Sequence, residues 1–299
     1  MSIKVEINKN LTLLYCLLNR FDQAGGESDS HPLRVEIKNH FKTYKGNVPD
    51  IKDYIHEHKV VVWSLTVGNP PTFVSDVELP KELEWHFNMG ATIKPFVTEL
   101  YKNSDFEDYY NNYISKKLYK LKNEIESILL NAHVEQLLED AWGIKVRNKM
   151  VVIPNPFTWG SFGPQIGDIN YQVIGIMGDV NKNNLLHTVV HEGSHPLAKQ
   201  ILKPYLKRIE KKQHLLEKVQ KHQKFSNSYS TWNTCFEEHL IRAVHMGFIA
   251  PKIMGDYDVK EGFAWEKNRK GMILIDTFYE NLVGRSVSEA IPLIIEALK

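Results

Sequence analysis

Apolar and polar positions alternate in Met1-Ser-Ile-Lys-Val-Glu-Ile-Asn8, the period-two pattern of an opening strand. Leu11, Leu14, Leu17 and Leu18 then recur at helical spacing as far as Arg20, before a polar loop at 22–31. Leu33, Ile37, Phe41 and Tyr44 mark a second amphipathic helix, with Pro32 suited to its first turn. Asn69-Pro-Pro-Thr72 predicts a loop. A helix is expected over 82–101, kinked or split by Pro95. Ser104-Asp-Phe-Glu107 has the capping-box form and should open one long helix to about Ala141, closed at Gly143. Lys149–Ile153 and Tyr171–Met177 read as strands on either side of a Pro/Gly/aromatic loop at 154–167. Turn chemistry at 179–184 offers Asn183 or Asn184 as an N-cap, and helical patterning dominates from there onward.

This order of elements predicts an α+β fold, mainly helical, with a small mixed sheet preceding the helix that starts near 184. With no internal repeat and no low-complexity linker, residues 1–299 are expected to form one domain, with a helical part at 1–145 and a second part at 146–299. The 37 Lys+Arg against 36 Asp+Glu argue against a dedicated nucleic-acid binder. The longest apolar run, Val60–Val67, falls well short of the ~18 residues of a membrane span. The first residues lack the pattern of a secretory signal, which leads to the expectation of a cytoplasmic protein. Cys16 and Cys235 are expected to be reduced and buried. The basic stretch Lys203–Lys224 reads as a solvated helix face over a core stripe of Leu206, Ile209, Leu216 and Val219. The tyrosines of 109–119 read as helix packing more readily than as a peptide groove.

None of this gives a use for 13 histidines, a richness that also raises the chance of accidental motifs. One passage does: Leu185-Leu-His-Thr-Val-Val-His191-Glu192-Gly-Ser-His195-Pro196. His191 and His195 stand four apart, so on a helix both imidazoles project from one face and can share a metal ion. Glu192 can then take the proton from a water that zinc has acidified from pKa 15.7 to about 7. The apolar residues Leu185, Leu186, Val189 and Val190 and the uncharged Gly193 and Ser194 suit a buried helix bearing a site.

These residues resemble the zincin metallopeptidases, whose motif His-Glu-x-x-His lies within an uncharged, apolar helix. Pro196 departs from the common form of that signature, and the helix should kink there or end and restart before Leu197. A third ligand is needed, because catalytic zinc takes three protein ligands and leaves a place for water. Trp232-Asn-Thr-Cys-Phe-Glu237-Glu238-His239-Leu-Ile-Arg242-Ala-Val-His245 supplies it, and resembles the gluzincins, which place a glutamate ligand on a second helix. Glu238-His-Leu-Ile-Arg242-Ala-Val is also similar to a stretch of an uncharacterised bacterial domain family with the same motif. At 100° per residue Glu237 falls on the apolar side with Phe236, Ile241, Val244 and Phe248, so burial favours it; Glu238 aligns with Arg242 and His245. The family-like Glu-x-x-x-Arg spacing favours Glu238 as ligand with Arg242 orienting it, and Glu237 stays as the alternative.

The resemblance implies a zinc-dependent hydrolase, a peptidase acting on peptide or protein substrates, with His191, His195 and Glu238 as metal ligands and Glu192 as general base. Two imidazoles and a carboxylate suit zinc while also accommodating manganese, cobalt or iron. His187 is a neighbour of the site or an alternative ligand, and His239, His245, Tyr229 and Tyr257 are candidate oxyanion donors. In the zincin pattern the strand before the motif helix, here Tyr171–Met177, binds substrate along its edge, although an ordinary buried strand fits equally. The competing reading is a non-catalytic zincin-like protein with a binding or regulatory role.

Overall fold

Among the described residues, four short strands meet in one sheet. The computed structural model of the chain describes residues 3–24, 31–51, 54–75, 78–79, 81–222, 229 and 231–299. They fall into two compact units, interleaved in sequence: Met1–Leu129 with Lys149–Lys182, and Leu130–Asn148 with Asn183–Lys299.

The first unit holds the sheet. Strands β1 (Ile3–Val5), β2 (Lys149–Asn155), β3 (Gln165–Ile166) and β4 (Ile169–Gly175) lie in the order β1-β2-β4-β3. β1 pairs β2 and β2 pairs β4 in parallel, with Val151 opposite Tyr171, whereas β3 pairs β4 antiparallel. β2 is buried from Met150 to Asn155, as expected of a central strand whose side chains are covered on both faces. β4 offers no open edge for an extended peptide. Its far side is taken by β3 and by a bridge in which Phe162 and Val173 exchange hydrogen bonds of 2.9 and 2.8 Å. Gly175 does permit a close approach, but the visitor is the chain's own Trp159–Gly160 backbone; a Cβ there would lie 2.6 Å from the Trp159 carbonyl.

Among the described residues the α-helices that accompany the sheet are α1 (Lys9–Arg20), α2 (Pro32–His40), α3 (Tyr54–Thr66), α4 (Lys81–Ala91), α5 (Lys94–Asn103), α6 (Phe106–Tyr109) and α7 (Ser115–Asn131). α1 is buried all round, and its polar residues are hydrogen-bonded inside: Asn10 Nδ2 donates to Val67 O at 2.8 Å and Asn19 Nδ2 to Phe157 O at 3.0 Å. Pro95 splits its helix, sitting in the first turn of α5 where its absent N–H costs nothing. The capping box at 104–107 does not form. Glu107 instead binds Lys9 Nζ at 2.5 Å and accepts from the Tyr101 hydroxyl at 2.9 Å, because a full ammonium outcompetes one backbone donor. The long helix expected to run on to Ala141 is broken at His133, whose backbone turns left-handed (φ 49°). Residues 25–30 of the expected polar loop, and 223–224 of the basic stretch, lie outside the described residues.

The second unit is helical: α8 (Val134–Trp142), α9 (Lys182–Leu202), α10 (Leu206–Glu210), α11 (Leu215–Gln220), α12 (Trp232–Val244), α13 (Ala250–Met254), α14 (Val259–Lys270), α15 (Ile275–Leu282) and α16 (Val287–Ala297). Gly143, left-handed at φ 68°, ends α8. Trp142, Trp232, Phe236 and Phe278 are buried in its core, the two phenylalanine rings meeting edge-on at 4.8 Å. α9 runs unbroken through Pro196, so the helix does not end and restart there. The basic stretch is a 3₁₀ turn and two short helices rather than one face. Ile209, Leu216 and Val219 are buried as expected, whereas Leu206 is 43 % exposed where that 3₁₀ turn passes into α10.

The chain is therefore α+β, mostly helical, with a small mixed sheet. Cys16 and Cys235 are free and buried. Among the described residues no helix is long and apolar enough to cross a membrane.

Candidate metal centre

The site is built from the second unit alone. Leu185, Leu186, Val189 and Val190 bury one side of α9, which leaves His191, Glu192 and His195 to face inward from its more open side, half-buried. Ser194 anchors the helix at this level: its hydroxyl donates to Val190 O at 2.8 Å and accepts from Trp142 Nε1 at 3.0 Å. α12 is capped by the Thr231 side chain and presents Glu237, Glu238 and Arg242.

His191, His195 and Glu238 offer one ligand atom each, and these atoms all lie within 4.8 Å of one another. Both histidines turn Nε2 toward Glu238: His191 at 3.7 Å from Oε2, His195 at 3.5 Å from Oε1. Glu238 Oε2 is buried without a hydrogen bond, though Arg242 Nε stands 3.2 Å away as an ion pair. A buried carboxylate oxygen and two nearby imidazole nitrogens form a donor set that could hold a divalent metal ion.

The two glutamates divide the work. Glu237 Oε1 accepts from His195 Nδ1 at 2.8 Å, an arrangement that leaves Nε2 available as a ligand atom. Burial runs opposite to the helical-wheel expectation: Glu238 is 9 % exposed while Glu237 is only half-buried. The apolar side of α12 faces the helical core, and the partly polar stripe is covered by the site itself. Arg242 holds Glu238 from behind and is itself gripped by Glu266 of α14, whose two oxygens each accept from Nη1 at 2.9 Å. Tyr229 also accepts from Arg242, and nearby carboxylates keep the guanidinium charge strongly favoured.

Protonation follows from this wiring. Burial takes the His191 pKa down to about 3, so its ring is neutral and available as a ligand. Burial opposes ionisation of Glu238, but His191, Arg242 and His195 outweigh it and hold the carboxyl down at about 2. Burial likewise lowers His195, yet the Glu237 hydrogen bond and the Glu238 and Glu192 charges leave its pKa raised. Burial pushes the Glu192 carboxyl up, moderated by His195 and reinforced by Glu238.

The remaining histidines and tyrosines separate clearly. His239 is buried in the helical core, donating from Nδ1 to Cys235 O at 2.8 Å and stacked on Phe278, so it is not placed as an oxyanion donor. His187 lies outside the cluster of three; its Nδ1 contacts His245 Nε2 at 2.6 Å. His245 stands beside His191 with ring centroids 6.4 Å apart, and the Tyr257 hydroxyl donates to Met246 Sδ at 2.8 Å. Sequence reasoning missed Glu266. It sits in a helix with no amphipathic pattern, and only the presence of an arginine on a buried helix hints that such a partner must exist.

Replacing Glu237 by Gln leaves the fold intact but loosens His195. Metal affinity measured by competition with a chromogenic chelator is expected to fall about 10- to 100-fold.

An α+β chain carrying a two-histidine, one-carboxylate cluster is the class that fold and site define. The chain belongs to the family described as Domain of unknown function (DUF4932), whose model matches residues 87–283 and so spans His191, His195, Glu238 and Glu266. No curated protein and no solved structure matches it.

Proposed function

We propose that the protein is a zinc-dependent hydrolase of the gluzincin type, a peptidase in which His191, His195 and Glu238 hold the metal. The observation that carries this reading is the convergence of both Nε2 atoms on the Glu238 carboxylate at 3.5 and 3.7 Å. Ligands bonded at ~2.0–2.1 Å in a tetrahedron stand about 3.4 Å from one another, and the two histidine–carboxylate distances lie near that spacing, in a set whose ligand atoms all fall within 4.8 Å of one another.

Zinc, when bound, acidifies water and polarises a carbonyl. The chain supplies the rest. Glu192 follows directly after His191 on α9 and is the residue we assign as the base; burial raises its carboxyl pKa. It takes the proton of the attacking water and returns it to the leaving amine. Arg242 and Glu266 keep Glu238 ionised and aimed.

The test is hydrolysis of a mixed peptide library by the purified full chain. Cleavage that a chelator abolishes and stoichiometric zinc restores is the expected result. Metal binding without cleavage of any peptide or acyl substrate would instead support the binding or regulatory reading.

A further inference from the structure

A cleft of about 610 Å³ opens on α9 one turn before the metal ligands. His187 and Thr188 line it, and they lie four residues before His191 and Glu192, beneath them on the same helix faces. Four residues of helix span about 6 Å, roughly the reach of one long side chain. The side-chain wall is continuous as well: the His187–His245 contact of 2.6 Å leads to the His245 ring beside His191. The volume is that of an ordinary ligand cleft.

The lining has a consistent chemistry. Met246, Met254, Tyr257 and Trp265 give thioether and aromatic walls. Trp265 is 51 % exposed and Met254 43 %, large apolar surfaces left open to a visitor. One face of Trp265 already meets the Lys270 ammonium at 6.0 Å, so the indole takes cations. Asp256, Asp258 and Glu261 complete the lining, and among the described residues no lysine or arginine lines the cleft. Asp258 is occupied as the cap of α14, accepting from Lys260 N and Glu261 N; Asp256 and Glu261 are exposed. An apolar throat under two solvated carboxylates fits an aliphatic stem with a cationic head.

We infer that this cleft receives a lysine or arginine side chain of the substrate, next to the bond that is cut. The inference rests on the peptidase reading for its position relative to the bond, but not for binding itself.

The test uses the zinc-loaded full chain and peptides identical except for one position, occupied by Lys, Arg, norleucine or Glu. Two exposed ion pairs are expected to give Lys and Arg peptides about a 10-fold advantage over norleucine in kcat/KM. That advantage is expected to fall to about 2-fold or less in the double variant Asp256→Asn/Glu261→Gln. Calorimetry with the Glu192→Gln chain reads binding of the same peptides without turnover, and the same ratios are expected in Kd. Hydrolysis without preference for Lys or Arg, or a preference that survives the double variant, overturns the cleft's assignment and leaves the peptidase standing. Lys- or Arg-dependent binding that the double variant removes, with no peptide hydrolysed, upholds the cleft and overturns the peptidase reading. Absence of peptide binding in calorimetry overturns the cleft outright.

Discussion

Glu238→Gln is expected to weaken metal binding more than about 100-fold, beyond the 10- to 100-fold cost of losing an outer hydrogen-bond partner. The amide keeps the shape of the carboxylate but removes the charge that faces both imidazole Nε2 atoms at 3.5–3.7 Å. The fold should survive, because Arg242 keeps its Glu266 partner at 2.9 Å. Circular dichroism and thermal midpoint in the presence of chelator should therefore match the parent chain while affinity collapses. Unchanged affinity would remove Glu238 from the ligand set. In that case Glu237, already 2.8 Å from His195 Nδ1, would be the next carboxylate to test.

The second large effect separates chemistry from binding. Glu192→Gln should retain one equivalent of zinc, since Glu192 is not among the three side chains proposed as ligands. Turnover of a cleaved peptide should fall by about 10²- to 10⁴-fold, the usual contribution of a general acid–base group. Raised by burial, Glu192 shares its surroundings with His195 and Glu238, so the loss should appear in kcat more than in KM. Undiminished hydrolysis in this variant would falsify the assigned role.

Much of this was legible in the residues, and the reasons differ element by element. The leucines of α1 and the β-branched run of β2 follow period and composition, which local sequence reports directly. The spacing of His191 and His195 carries its own geometry, because one helical turn brings i and i+4 together. What escaped was set by tertiary partners. The capping box at Ser104 failed because Lys9, 98 residues from Glu107, competes for that carboxylate. The wheel misjudged Glu237 and Glu238 because it equates polar with exposed, and the polar stripe of α12 is covered by the site's own charges. Glu266 was invisible for the same reason: a buried arginine demands an anion, but nothing in the sequence says which of many it finds. At Pro196 local rules allow either a kink or an end and restart, and the second does not occur: α9 continues, with Leu197, Ala198, Ile201 and Leu202 buried beyond the proline to hold its last turns.

All of these features bear on one claim, that His191, His195 and Glu238 bind a catalytic zinc ion. Its most direct test is elemental analysis of the full chain purified without added metal, followed by zinc titration. About one equivalent of zinc per chain, retained in Glu192→Gln and lost in Glu238→Gln, is the predicted result. Less than roughly a tenth of an equivalent, with no uptake on titration, would contradict it.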